Sequence, residues 1–277
     1  MAHSTLLQIV WNVNPEIGTF WGITLRWYGI LFAFGLCCAG YFLYRIFKEK
    51  GISQNNYERL LIYGFFGIFL GARVVHCLFY EPTYYLAHWW EILLPVSSIN
   101  GKIVFVGYQG LASHGAGAGL IVAVLLYCWR TKLKVWSIMD YLAIVTPLAG
   151  GFIRLGNLMN SEIVGAPTNV PWAMIFTRFD DIPRHPAQLY EALFYFALFV
   201  ALWIVYRKKL SVKDGFYLSV VMVVICLFRF FIEYVKEVQM PFENQMTLNM
   251  GQWLSIPYIV VGSLIFYFTQ RKNKKLK

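Results

Sequence analysis

Residues 154–165 read RLGNLMNSEIVG and pack Arg154, Asn157, Asn160 and Glu162 into a nine-residue stretch. Arginine offers a planar fork that can grip a phosphate with two parallel hydrogen bonds. Asparagine is poor inside helices and good at their ends, so the stretch reads either as a polar, capped helix terminus or as a ligand site. Residues 184–191, RHPAQLYE, add His185, Gln188, Tyr190 and Glu191 around Pro186, more polar groups than the first turn of a helix needs. Arg73 and His76 stand three apart, as do Arg154 and Asn157. Arg229 and Glu233 stand four apart, a spacing that lets a helix form an ion pair. Residues 110–119, GLASHGAGAG, hold His114 as their only titratable group. Their small side chains let backbones approach closely, and the histidine is either a packed core residue or a proton acceptor.

The elements that must carry these groups are apolar. Of 277 residues, 58% are hydrophobic and 14% are charged, against about 25% charged in soluble domains. Seven stretches approach the roughly 20 apolar residues needed to cross a bilayer: approximately 20–44, 60–79, 110–129, 138–159, 187–206, 215–235 and 252–269. The pattern predicts an all-α integral membrane protein, a single membrane domain over 1–277 with a small extracytoplasmic portion. Residues 86–96 are too short to span and read as an interfacial element holding Trp89 and Trp90 at headgroup depth. The loops after spans one, three and five and the C-terminal tail hold sixteen Lys and Arg. The alternate loops hold only Lys102, Arg178, Arg184 and Lys236. Positive loops stay inside, which predicts an N-terminus in the periplasm and a C-terminus in the cytoplasm.

On that topology Arg26, Arg73, His76, His114, Arg154, Glu162, His185, Glu191, Arg229 and Glu233 all fall toward the outer ends of six spans. Asp140 alone falls at an inner end, where an acid beside a helix N-terminus is ordinary. Charge inside a membrane costs about 2.5–3.5 kcal/mol at the bilayer centre and marks function by default. Snorkelling to the interface is the competing account for each arginine. Several guanidinium groups at headgroup depth suit an anionic lipid of the outer leaflet.

A net charge of +10 invites nucleic acid, but the cations alternate with apolar runs and form no single stripe, so no nucleic-acid partner is expected. The five cysteines, Cys37, Cys38, Cys77, Cys128 and Cys226, form no CxxC and lie in or at the ends of apolar runs, as packing residues. Neither a metal site nor a cleavable signal peptide is expected. A lipid or solute transporter would bring buried polar groups too, but such proteins often show paired repeats, and none is visible. A hydrolase built on Ser113 and His114 is disfavoured, because neighbours on one helix point about 100° apart. A light-driven pump lacks its mid-span lysine.

At these residues the chain resembles the prolipoprotein diacylglyceryl transferase family, over nearly its whole length. The family signature, G-R-x-G-N-F-x-N-x-E-x-x-G, is matched at Arg154, Gly156, Asn157, Asn160, Glu162 and Gly165, with Ile153 for Gly and Leu158 for Phe. H-G-G-x-x-G is matched at His114, Gly115 and Gly119, with Ala116 for Gly. R-W-Y-G is residues 26–29, and H-P-x-Q-L-Y-E is residues 185–191. R-x-x-x-E-x-x-R appears as Arg229, Glu233 and Lys236, with Lys for the second Arg. The resemblance implies a multi-pass enzyme of the bacterial inner membrane with its active site facing the outer leaflet and periplasm. It would use no cofactor. It would move diacylglyceryl from phosphatidylglycerol to the lipobox cysteine at the end of a prolipoprotein signal peptide, releasing glycerol phosphate. Arg154 and Arg229 are expected on the phosphate and His114 as base or thiolate stabiliser. Tyr28, Asn157 and Asn160 would orient the headgroup, Glu233 would hold Arg229, Glu162 would help to position Arg154, and Gly165 would shape a turn. Arg73, His76, His185, Gln188, Tyr190 and Glu191 complete the candidate set.

Overall fold

The computed structural model describes residues 9–20, 23–94, 96–99, 102–105, 110, 112–210, 212–238, 243 and 246–271, and within these the side chains of Ser113 and His114 among others lie outside the description. The chain forms two compact units, Met1–Leu43 with Asp140–Lys277, and Tyr44–Met139.

Among the described residues, seven long helices correspond to the seven apolar stretches: α1 (Trp27–Glu49), α2 (Gln54–Phe79), α5 (Ser113–Thr131), α6 (Val135–Asn160), α7 (Ala187–Arg207), α8 (Phe216–Ile232) and α9 (Met250–Gln270). Six are long and apolar enough to cross a membrane, α8 when counted through Val235, and α5 is a shorter apolar helix over Gly115–Thr131. At 1.5 Å per residue, helices of this length span about 30–40 Å, the thickness of a bilayer core or somewhat more. Their outward faces are apolar: on α2, Ile62, Phe65 and Phe66 are each more than half exposed. Such a surface is stable in lipid and would aggregate in water.

The first stretch begins later than expected. β2 (Glu16–Phe20) and β3 (Ile23–Arg26) pair antiparallel as a hairpin, and the helix starts only at Trp27. Arg26 therefore lies outside the span, on the hairpin, paired with Glu16 at 3.0 Å and mostly exposed. It leaves the buried set. The β-branched Ile17, Thr19 and Thr24 favour extended backbone here over helix.

In the first unit, β1 (Ile9–Trp11), β6 (Met174–Phe176) and β7 (Pro183–Arg184) form a small sheet in the order β1-β6-β7, with β1 parallel and β7 antiparallel to β6. Under it Leu158, Val164, Met174 and Phe176 form a buried cluster against Trp11, Leu155 and Leu189. Each such side chain fully buried contributes roughly 1.5–3 kcal/mol. The Trp11 indole also donates to the Leu158 carbonyl at 3.0 Å, fastening the N-terminal strand to the end of α6. Near the other end of α6, Asp140 accepts from the amides of Gly215 and Leu218 at 2.7 and 2.8 Å. It thus neutralises the start of α8 rather than of its own helix.

In the second unit α2 and α5 touch backbone to backbone. A side chain at Gly71 would strike the Gly115 carbonyl and come within 2.8 Å of the Gly119 Cα, so the small residues serve close helix packing as their composition predicted. The expected interfacial element is two short helices, α3 (Pro82–Ala87) and α4 (Trp90–Leu93), followed by a hairpin of β4 (Val96–Ile99) and β5 (Lys102–Phe105). An apolar groove of about 600 Å³ runs along α2 and α5, lined by residues such as Leu70, Val74 and Val122.

Candidate active site

The last turn of α6 ends on Asn160, and Ser161 and Ile163 then take left-handed backbone (φ 55° and 56°), which reverses the chain. The Glu162 amide donates back to the Asn157 carbonyl at 3.0 Å, closing the helix end. This turn folds the polar side chains onto one another. Arg154 Nη1 donates to Asn157 Oδ1 at 3.3 Å. Asn157 Nδ2 donates to Glu162 Oε2 at 3.2 Å, and Asn160 Nδ2 to Glu162 Oε1 at 3.0 Å. Glu162 thus acts on Arg154 through Asn157, with both carboxylate oxygens held by amides. The fully buried Gln188 donates to the Glu162 carbonyl.

The direct acidic partner of Arg154 comes from α7. Glu191, wholly buried, places Oε2 3.1 Å from Arg154 Nε and Oε1 3.1 Å from Lys236 Nζ. Neither oxygen accepts an aligned hydrogen bond, so charge alone holds them. Lys236 also reaches Glu233 Oε1 at 3.1 Å. The Glu233 carboxylate lies against Gly251 in the first turn of α9, where a helix start favours negative charge.

The expected pairing of Glu233 with Arg229 does not form. α8 stops at Ile232 and continues as the 3-10 turn Glu233–Val235, in which i and i+3 eclipse. That aligns Glu233 with Lys236 instead. Arg229 Nε is buried without a hydrogen-bond partner, and among the described residues no carboxylate pairs with Arg229. Its electrostatic neighbours include Cys226 and Tyr195, the latter also interacting with Arg154 and Glu191.

Gly165 makes the junction that brings α6, α7 and α8 together. Its amide donates to the His185 carbonyl at 2.9 Å, and it pairs antiparallel with Lys236. A side chain at this position would run into the His185 backbone and come within 2.8 Å of the Val235 carbonyl. Arg184, 5% exposed, ties the same junction: it bonds Asp180, the Gly165 carbonyl at 3.1 Å and Glu237 at 2.5 Å. The Arg184 hydrogen bonds hold the Asp180 carboxyl below the usual carboxylate range. His185 shares Tyr190 Oη with Trp172, at 3.2 and 2.7 Å, and burial pushes its imidazole pKa down. Tyr28, in the first turn of α1, packs its ring where Gly156 leaves room, since a Cβ there would lie 2.8 Å from the ring.

The structure thus brings together Tyr28, Arg154, Asn157, Asn160, Glu162, Gly165, Gln188, Glu191 and Glu233. His185 and Tyr190 adjoin them. Arg73, His76 and His114 belong to the second unit. Arg73 is buried, with its guanidinium donating to the carbonyls of Glu91 and Ile92 at 2.6 and 3.1 Å. His76 stacks on Tyr80 with 5.5 Å between ring centroids and packs against Gly110. The backbone of His114 opens α5, but its side chain lies outside the described residues. Asp180, Arg184, Glu237 and Tyr195 were not anticipated. Tyr195 stands four residues after Glu191, one helical turn along the same face, a spacing that could have flagged it. Among the described residues no group of three His, Cys, Asp or Glu could hold a metal ion.

Apolar helices of membrane length, with arginine, asparagine and carboxylate side chains joined at their ends, define a multi-pass membrane protein with a polar, cation-bearing site. A family model described as prolipoprotein diacylglyceryl transferase matches residues 15–268. The chain belongs to this family, whose members catalyse the first step of lipoprotein maturation. It is similar to the phosphatidylglycerol–prolipoprotein diacylglyceryl transferase of Bacteroides fragilis, 48% identical over 99% of this chain and 100% of the relative. The proteins of that name from Tolumonas auensis and Chloroherpeton thalassium are 39% and 38% identical, over 97% and 95% of this chain and 100% and 95% of their own lengths.

Proposed function

We propose that this chain transfers diacylglyceryl from phosphatidylglycerol to the lipobox cysteine of prolipoproteins at the outer face of the bacterial inner membrane. The observation that carries the reading is the ion-paired Arg154, fixed by Glu191 and by the Asn157–Glu162 chain, in a member of this family. The sulfur of the substrate cysteine attacks the glyceryl carbon bearing the phosphate. A C–S bond forms, the C–O bond breaks, and glycerol phosphate leaves with the electron pair. The attacking species is the thiolate, and an unperturbed thiol has a pKa near 8.5. His114 takes the thiol proton, with the positive charge of the site favouring the anion.

Arg154 and Arg229 hold the phosphate and stabilise the charge that develops on it as it leaves, as preorganised cations in a dry site. Tyr28, Asn157 and Asn160 orient the headgroup. Glu162 acts through Asn157, and Glu233 acts through Lys236. Gly165, His185, Gln188, Tyr190 and Glu191 build the wall behind the arginines. Arg73 and His76 support the polar end of α2. Holding both reactants in line supplies much of the acceleration. The distribution of Lys and Arg supports an N-terminus outside and a C-terminus inside, with the signal-peptide end of the acceptor reaching the site from the membrane.

The test is direct. Purified protein in detergent is given phosphatidylglycerol and a lipobox peptide, and peptide mass and glycerol-phosphate release are followed for wild type, Arg154→Ala and His114→Gln. A diacylglyceryl mass gain that disappears in Arg154→Ala supports the assignment, and near-wild-type turnover in His114→Gln removes the proposed base. If the wild type gives no mass gain while the Bacteroides fragilis relative does, the assignment fails.

A further inference from the structure

Arg229 and Glu233 are one helical turn apart, and α-helical geometry would let their charges cancel. The structure avoids this cancellation. The helix tightens at Glu233, and the next cation, Lys236, takes the carboxylate at 3.1 Å. The same ammonium takes Glu191 on its other side at 3.1 Å. Lys236 has no freedom to leave. Only 2% of its side chain is exposed, and its backbone is pinned to Gly165. Glu191 in turn meets Arg154 at Nε, while Arg154 Nη1 donates to Asn157. A guanidinium whose two terminal nitrogens are both engaged by a carboxylate could not also grip a phosphate through them.

We infer that Lys236 is a positioning residue for the transferase reaction. It gathers Glu191 and Glu233 so that Arg229 keeps its whole guanidinium for the anionic headgroup of the donor lipid, while Glu191 meets Arg154 at Nε, beside the Nη1 contact to Asn157. The inference rests on the transferase reading above. It also accounts for Gly165: only a residue without a side chain lets the 164–166 backbone lie close enough to hold Lys236 in place. Lys236 does not touch the lipid. It acts by deciding where two carboxylates point.

Removing its charge frees Glu233 to swing one turn back onto Arg229. Lys236→Met should therefore raise the KM for phosphatidylglycerol by about tenfold, the scale of one lost charge-assisted contact. Lys236→Arg keeps a cation on both carboxylates and should stay within about twofold of wild type. The deciding variant is Lys236→Met combined with Glu233→Gln. A neutral amide cannot quench Arg229, so the double variant should regain most of the lost affinity although a second ionic partner has been deleted.

The experiment measures kcat and KM for phosphatidylglycerol, with a lipobox peptide as acceptor, in purified full-length variants that elute as single species in detergent. Lys236→Ala, which also leaves Glu233 without a partner at this position, replaces Lys236→Met in both arms if the methionine variant does not fold. A KM rise in the single variant that reverses in the double supports the inference. A double variant as weak as the single, or a Lys236→Met enzyme with wild-type KM, overturns it. Wild-type protein without any turnover overturns the transferase reading itself, an outcome visible before any variant is compared.

Discussion

Glu191 Oε2 stands 3.1 Å from Arg154 Nε, and the glutamate has no exposed surface at all. One edge of the guanidinium is thus committed to the protein while Nη1 reaches Asn157. A lysine here has a single charged nitrogen and could satisfy Glu191 or a phosphate, but not both. Arg154→Lys should therefore fold with a thermal midpoint close to wild type and lose about hundredfold in kcat/KM, the scale of one missing preorganised donor. Steady-state kinetics with phosphatidylglycerol checks this, and turnover within about threefold of wild type would mean that the fork geometry is unimportant.

Arg73 poses the opposite case. Its spacing with His76 made it a candidate for the headgroup, yet its donors are directed at the carbonyls of Glu91, Ile92 and Gly110, and its cation lies over the Tyr85 ring at 4.9 Å. Removing it strands buried carbonyls, at about 1–3 kcal/mol for each unsatisfied group. Arg73→Ala should lower the unfolding temperature and expose residues 82–94 to protease, with the KM for phosphatidylglycerol of the folded fraction unchanged. Limited proteolysis beside kinetics separates the two roles, and a selective rise in KM at full stability would place Arg73 on the lipid instead.

The contrast between these arginines shows what patterns in a chain convey. The apolar stretches fixed the number and rough limits of the helices, because crossing a bilayer demands length and hydropathy that are read residue by residue. The segment 154–162 was legible as a site because four polar groups share one helix end. Partners supplied from elsewhere were not. Nothing local says that Glu191 rather than Glu162 meets Arg154, since that depends on how the Gly165 junction pulls α7 against α6. Helical spacing misassigned Glu233, because the 3-10 turn that begins there brings Lys236 onto its carboxylate although the backbone relation to Arg229 is still helical. The stretch from residue 20 to Arg26 was absorbed into the first span because Phe20, Ile23 and Leu25 extend the apolar run that continues from Trp27.

Asp180 and His185 make the junction around Arg184 sensitive to acid. The folded carboxyl of Asp180 titrates below its unfolded value of 3.8, chiefly because Arg184 hydrogen-bonds the anion. The unfolded chain thus binds the proton first, and the stability this pair contributes is present above that value and fades as pH falls through the folded pKa. His185 is also depressed, by burial, below its unfolded value of 6.5. Here too the unfolded state takes the proton first, so stability declines as pH drops below about 6.5 and levels off beneath the folded pKa. The two effects add in the same direction over separate windows. Asp180 is partly exposed, so its share should be about 1 kcal/mol or less. Thermal unfolding in detergent from pH 8 to pH 3 should show both declines, with His185→Gln flattening the upper one and Asp180→Asn the lower. Asp180→Asn should also start less stable at neutral pH, because Arg184 then retains, among the described residues, only Glu237 as an acidic partner. Equal slopes in Asp180→Asn and wild type below pH 4 would show that the acid sensitivity of this region arises from other carboxylates.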